Sequence, residues 1–325
     1  MIKDKKLGAF IVPTGIGARI GGFAGDAGAY ARKFAKEHTL IVNPNVVNAG
    51  GFSAINDNML YVEGYSLDEF FKGNLNLILS QNNKIGIIFD KAIPEHILNV
   101  HINTMNAVKT VYGIDIPFYE ITEESVDVTF DIDKNGISNG SLKNPTTLLN
   151  SAKNLIKQGA DAIAIVCFFE NPEDENPEYK DGQGVDPVGG VEAIISHFIS
   201  KELQVPCAHA PAFDDLDITT NLIDAKSASE YITPTFLPCI LLGLHNAPQF
   251  SKINGINIKD LDYLVIPHNC LGSTPVFECQ KRNIPVYTIE ENKTVLNITK
   301  EKIFPKADGI ISVKSYWELL EKIAN

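Results

Sequence analysis

Thiol, imidazole and carboxyl side chains gather in two stretches of this chain, and both suggest proton transfer or nucleophilic attack. The first runs Asp181-Gly-Gln-Gly-Val-Asp186-Pro-Val-Gly189-Gly190-Val-Glu192 and continues to Cys207-Ala-His209-Ala-Pro211. The second is Pro267-His268-Asn-Cys270-Leu-Gly272-Ser273-Thr-Pro275. Cys270 is the sharpest candidate nucleophile or proton-abstracting base. It follows an apolar run, has His268 two residues before it, and precedes a helix start. An imidazolium and a helix N-terminus both favour a thiolate. The competing reading is a small buried hydrophobe, which a free cysteine often is. His209, set between two alanines and stiffened by Pro211, reads either as a satisfied core histidine or as a general acid/base. Asp186 or Glu192 would orient such a histidine.

A third stretch could hold substrate. The short apolar run 7–12 ends at Pro13 and opens into glycines at 15, 17, 21, 22 and 25, then Asp26. Gly15, Gly17, Gly21 and Gly22 let backbone N–H groups close on an anion, and the following helix, expected over about 27–37, favours negative charge at its start. The spacing does not match a dinucleotide fingerprint, and no Walker lysine is present. A tight strand-to-helix turn is the alternative. Asn45 and Asn48, after the apolar run 39–42, fall where open α/β sheets bind ligands, beyond the carboxyl ends of their strands. Gly189, Gly190, Gly272 and Ser273 complete the expected substrate-binding set.

The elements that must position these residues alternate. Short apolar runs at 7–12, 39–42, 84–89, 114–121, 162–168, 205–208, 262–266, 284–289 and 309–313 read as strands. Between them lie helical patterns, among them one opened by Pro94, one opened by Asn144-Pro145 and closed by Gly159, and one after Gly190 with Val191, Ile194, Ile195 and Phe198 on its apolar side. That alternation is the pattern of mostly parallel sheets. Residues 126–142 break it and read as a β-hairpin with an Asn-Gly turn. The expected fold class is therefore α/β: two mostly parallel-sheet halves, Rossmann-like, with an inserted hairpin. The expected division is an N-terminal half over 1–122 and a C-terminal half over 123–325 that carries the 181–213 site segment. The acidic, proline-bearing stretch 171–180 is long enough to serve as a lid.

Composition excludes several classes. The 325-residue chain carries a formal net charge of −12 with 28 Lys and Arg, which argues against a nucleic-acid binder. No stretch of about 20 apolar residues offers a membrane span, and the apolar run near the start is too short for a signal-peptide core. The five cysteines are odd in number with no Cys-x-x-Cys pair, so reduced thiols in the cytoplasm are expected. Asp186, Glu192, His197 and His209 are metal-ligand types without tight ligand spacing, so no metal or other cofactor is assigned. No Gly-x-Ser-x-Gly elbow is present.

The motifs Pro13-Thr-Gly-Ile-Gly-Ala, Gly25-Asp26, Asn43-Pro-Asn, Gly182-Gln-Gly-Val-Asp-Pro, Pro206-Cys-Ala-His-Ala-Pro and Phe236-Leu-Pro-Cys resemble a bacterial and cyanobacterial family classed only as a domain of unknown function. That resemblance spans most of the chain and implies no activity. Gly159-Ala-Asp-Ala-Ile-Ala-Ile-Val-Cys167 is similar to a strand of the aspartate/glutamate racemase superfamily. That likeness implies two α/β halves and cofactor-independent chemistry on a carbon acid. The superfamily uses one cysteine from each half, whereas this chain has none before Cys167. The resulting expectation is an enzyme, isomerase- or lyase-like, acting on a small anionic metabolite, a carboxylate by preference. The alternatives are a nucleotide- or phosphometabolite-binding sensor and a metal-dependent hydrolase. A homo-oligomer stays open.

Overall fold

In the computed structural model, residues 5–23, 25–170, 178–214, 216 and 219–323 are described. Two parallel sheets form the scaffold, and each has a doubly wound strand order. The larger sheet holds six strands: Leu7–Phe10, Thr39–Val42, Met59–Tyr61, Tyr263–Pro267, Val286–Ile289 and Ile310–Val313. Numbered one to six along the chain, they lie side by side as 3-2-1-4-5-6, all parallel. This is the order of dinucleotide-binding sheets, with a crevice where the order reverses, between the first and fourth strands. The smaller sheet holds Ile85–Phe89, Phe118–Ile121, Ala162–Phe169 and Cys207–Phe213 in the order 2-1-3-4. Its order reverses between Ile85–Phe89 and Ala162–Phe169, as in flavodoxin-like sheets.

The two sheets are not partitioned at residues 122 and 123. Strands on either side of that point pair within the smaller sheet, while the chain's beginning and end meet in the larger one, with Gly8 opposite Tyr263. The reason is topological. Everything between the third and fourth strands of the larger sheet is a long excursion, and the smaller sheet is built inside it.

Strand composition explains the burial. Leu7–Phe10, Thr39–Val42, Ile85–Phe89 and Tyr263–Pro267 are buried at every position, as expected of parallel strands covered by helices on both faces. Alternate residues feed different cores. Phe10, Val42, Val265 and Ile289 pack on the side of the C-terminal helix Tyr316–Ile323, whereas Ala9, Ile41, Leu264 and Val286 pack towards the helices Gly64–Lys72 and Thr274–Lys281. The helix Leu237–His245, apolar nearly all round, lies in the same core as residues from both sheets and welds them together. A second weld is the packing of Gly64–Lys72 against Gly189–Leu203.

The hairpin forms as its turn chemistry requires. Val128–Ile132 pairs with Ser138–Leu142, and the Asp133 carboxylate accepts from the N–H groups of Asn135 and Ile137 (2.8 and 3.0 Å) while Gly136 takes φ +75°. Among the described residues, no helix is long and apolar enough to cross a membrane. Most of the expected lid, residues 171–177, lies outside the described residues; Tyr179–Asp181 forms one 3₁₀ turn.

Candidate functional site: a buried carboxyl cluster

The glycine-rich loop leaves the carboxyl end of Leu7–Phe10 and is pinned to the loop 184–190 by the hairpin. Ser138 makes the junction. Its N–H donates to the Gly15 carbonyl (2.9 Å), its hydroxyl donates to the Pro187 carbonyl (2.8 Å), and the same hydroxyl accepts from the Gly190 N–H (2.9 Å). Gly190 is demanded by this approach, because a Cβ there would stand 2.1 Å from the Ser138 carbonyl oxygen. Gly15 needs its freedom too, with φ +73° and Ser138 against it.

Four acids collect where these loops meet: Asp26, Asp186, Glu192 in the first turn of Gly189–Leu203, and Glu230 in the short helix Ala228–Tyr231. Burial pushes the Asp26 carboxyl up to about 6, opposed by the Gly21 N–H it accepts and by the Lys226 ammonium 3.9 Å away. Asp186 is raised by burial, against the N–H groups of Val188 and Gly189 that hold it. Glu230 is raised by burial and then by Asp186. Glu192 is raised furthest of its pair with Asp186: it is 8 % exposed, and the charges acting on it, Asp186 and Glu230, are both acidic. A carboxyl that keeps its proton at neutral pH beside one that has lost it is an acid/base pair.

The cluster faces strand ends of both sheets. Glu192 acts electrostatically on Tyr61, the last residue of Met59–Tyr61, and on Cys167, near the end of Ala162–Phe169. One wall is aromatic. Phe23 stacks on Tyr179 with ring centroids 4.7 Å apart, Tyr179 hydrogen-bonds Glu230, and the Lys226 ammonium lies 4.5 Å from the Phe23 centroid.

The structure therefore brings Gly15, Gly17, Asp26, Asp186, Gly189, Gly190 and Glu192 together with Asn48 at their edge, and sets Cys270, His268, Gly272 and Ser273 in a different part of the fold. Cys270 is the main correction. Its thiol is 3 % exposed, packs among Ile266, Leu271, Val276 and Cys279, donates to the Pro267 carbonyl (3.4 Å), and is pushed well up by burial. Burial in hydrocarbon disfavours the thiolate, and this speaks against the nucleophile expected at Cys270. His268 does not reach it: its Nδ1 is buried with no partner among the described residues. Ser273 stands at the N-cap of Thr274–Lys281 without capping it, and its buried hydroxyl likewise finds no partner there, while Gly272 is exposed beside Ile298.

His209 lies in the strand Cys207–Phe213 and meets the helix Gly189–Leu203 one turn beyond Glu192, with Nδ1 2.8 Å from the Ser196 hydroxyl, and burial pushes it down to about 3. It is neutral, and its partner is Ser196, not an acid. The polar side of that helix proves to be an inward one: Glu192, Ser196 and Ser200 are all buried while Ile194 is exposed. The helix is covered by the hairpin, by the smaller sheet, by Pro145–Gln158 and by Gly64–Lys72. Where it meets Gly64–Lys72, His197 lies 3.5 Å from Glu63, the N-cap of that second helix.

Three consecutive N–H groups of the glycine loop are taken up within the protein. Ile20 donates to Asn292, Arg19 to the Lys293 carbonyl and Gly21 to Asp26. Gly17, Gly21 and Gly22 are close-packing positions against Val185, Val12 and Ala18. Asn45 donates to the carbonyls of Val12 and Pro13 (3.3 Å each) and so stitches the loop to its strand. Asn48 donates to the Tyr61 hydroxyl (3.2 Å), which places it at the cluster's edge.

Sequence reasoning missed Glu230, Lys226, Tyr179, Phe23, Tyr61 and Glu63. Only Glu63 carried a local signal, an acid before Gly64 just after the apolar run 59–62. The rest become neighbours through tertiary contacts alone. Among the described residues, no group of three or more His, Cys, Asp or Glu is arranged to hold a metal ion.

The scaffold and the cluster define a doubly wound α/β protein with a buried carboxyl site at its strand ends. The chain belongs to the family described as Protein of unknown function (DUF3326), whose model matches residues 8–325. It is 37 % identical over 298 residues to an uncharacterized lipoprotein of Synechococcus sp., covering 89 % of this chain and 82 % of that one. No solved structure gives a significant match.

Proposed function

We propose that this protein is an enzyme that moves a proton on a small molecule bound at the carboxyl cluster, an isomerase- or lyase-type activity. The observation that carries the reading is the proximity of Asp186, Glu192 and Glu230 under burial, which spreads their proton affinities. Asp186 serves as the base and Glu230 or Glu192 as the acid. The chemistry expected of Cys270 and His209 passes to carboxyls, because the thiol is buried in hydrocarbon and the imidazole is held neutral. The surrounding acids disfavour a free carboxylate substrate and favour a neutral or cationic one. They also disfavour the nucleotide-sensor alternative, since a polyphosphate would lie against Asp26 and Asp186.

The test is isotope exchange. Purified protein is incubated in D₂O with a small-metabolite extract, and mass spectrometry follows deuterium entering carbon positions. One compound class should gain label. Asp186→Asn and Glu230→Gln should each slow labelling by about 100-fold or more, with cooperative unfolding retained. Equal labelling by both variants, or none by the native protein, overturns the reading.

We also place the protein in the cytoplasm, on the strength of five unpaired, buried cysteines. The Synechococcus relative's description as a lipoprotein supplies the contrary case, which fractionation of cells decides.

A further inference from the structure

We propose that the carboxyl cluster binds a small organic ammonium ion, a primary amine, in the place now occupied by the Lys226 side chain. The inference rests on the site reading above and names its substrate class.

Three observations carry it. First, among the described residues the ammonium set against the cluster is that of Lys226, and it sits as a bound amine would. Its Nζ is 3.9 Å from the Asp26 carboxylate and 4.5 Å from the centroid of Phe23, a ring that also stacks on Tyr179. A carboxylate beside an aromatic face is a recognised seat for a cation. Second, Lys226 reaches the seat from the rim. Its side chain is 32 % exposed, against 14 % for Asp26, so it can swing into water and vacate the place. Third, an inner anchor stands unused. Glu192 is more than nine-tenths buried, no described residue donates a hydrogen bond to it, and the charges nearest it are those of Asp186 and Glu230. A buried carboxyl without a donor is costly. An ammonium brings three N–H donors and a compensating charge. A divalent metal would bring the charge too, but the acids are not disposed as a ligand set. The Lys226 ammonium is thus a tethered stand-in, and a free amine competes with it.

The experiment is titration calorimetry at neutral pH with n-butylamine, n-butanol and butyrate as probes, and separately with Mg²⁺, Mn²⁺ and Zn²⁺. Butylamine should bind and the other two organic probes should not. Lys226→Met should tighten butylamine at least ten-fold, because the competing ammonium is gone. Glu192→Gln in that background should lose the gain. Lys226→Gln is the second variant should Lys226→Met fail to unfold cooperatively. Equal binding of butanol, binding of butyrate, a response to metals alone, or unchanged amine affinity in both Lys226 variants overturns the proposal. Because binding is read directly, its failure leaves the proton-exchange result standing, and the reverse also holds.

Discussion

The glycine-rich loop has two flanks, and the chain treats them in opposite ways. On one flank lies the crevice between the first and fourth strands of the larger sheet, where such sheets usually seat a ligand. Here the protein's own segment 291–298 runs across it. The Asn292 side chain accepts from the Ile20 N–H and donates to the Ile20 carbonyl, His268 donates to the Asn292 carbonyl, and Asn269 clamps Thr294 and Leu296. On the other flank, facing the loops 184–190 and 226–230, four acids crowd together with one ammonium, that of Lys226, set against them among the described residues. The difference teaches where to look for a site. A position near strand ends shifts proton affinity into a useful range only where burial brings like charges together. Cys270 follows a strand end but lies in hydrocarbon; Asp186 and Glu230 come from a loop and a short helix, and each is buried beside another acid.

The smaller sheet supports the same lesson. Asp90 sits at its order reversal, buried, but accepts from the N–H groups of Ala92, Val126 and Phe168 (3.1, 3.0 and 3.4 Å) and so is spent on structure.

Three variants break or sharpen this contrast. Gly190→Ala should have the largest effect on stability, a loss of about 3 kcal/mol, because its Cβ meets a backbone carbonyl that cannot yield. Urea unfolding measures it, and a loss near zero would mean that the junction of loop and hairpin is looser than drawn.

Glu192→Gln should come next, with a sign set by pH. The native carboxyl holds its proton far more tightly than the unfolded one, so the native state binds more protons above the unfolded pKa. Stability therefore falls as pH rises from the ordinary glutamate range towards the native pKa, by about 1.4 kcal/mol per unit at most. Glutamine mimics the protonated form and escapes that loss. The variant should match the native protein near pH 4.5 and exceed it by roughly 1–3 kcal/mol near pH 7.5. Parallel unfolding curves at the two pH values decide the matter; a constant offset would show that Glu192 is solvated.

Cys270→Ala should do least, costing about 1 kcal/mol for lost packing, with isotope exchange and amine binding unchanged. A large loss of exchange would reinstate the thiol and reverse the contrast between the two flanks.

Much of the scaffold was legible because its signals are local. Buried parallel strands read as short apolar runs, Gly113 and Gly159 stop their helices in the left-handed conformation, and the hairpin announces itself through Asp133 and Gly136. The strand Met59–Tyr61 and helix Gly64–Lys72 were passed over, being short and set in a polar stretch. The site was legible only in part. Asp26, Asp186 and Glu192 stand beside glycines that mark close approach, so sequence could point to them. Glu230 and Lys226 lie in Asp224-Ala-Lys-Ser-Ala-Ser-Glu230, where nothing in type or spacing sets them apart.

What the sequence alone determined is the menu: α/β alternation, two parallel sheets, loops rich in glycine, and acids in excess over bases. Those properties follow from periodicity, backbone freedom and composition, which act over a few residues at a time. Only the tertiary structure decided that the sheet strands would pair across the excursion, that segment 291–298 would fill one crevice, and that four acids from three distant loops would share another. Desolvation and Coulomb energy depend on distance in space, so the raised carboxyls and the withdrawn thiol come into being only when the chain has closed on itself.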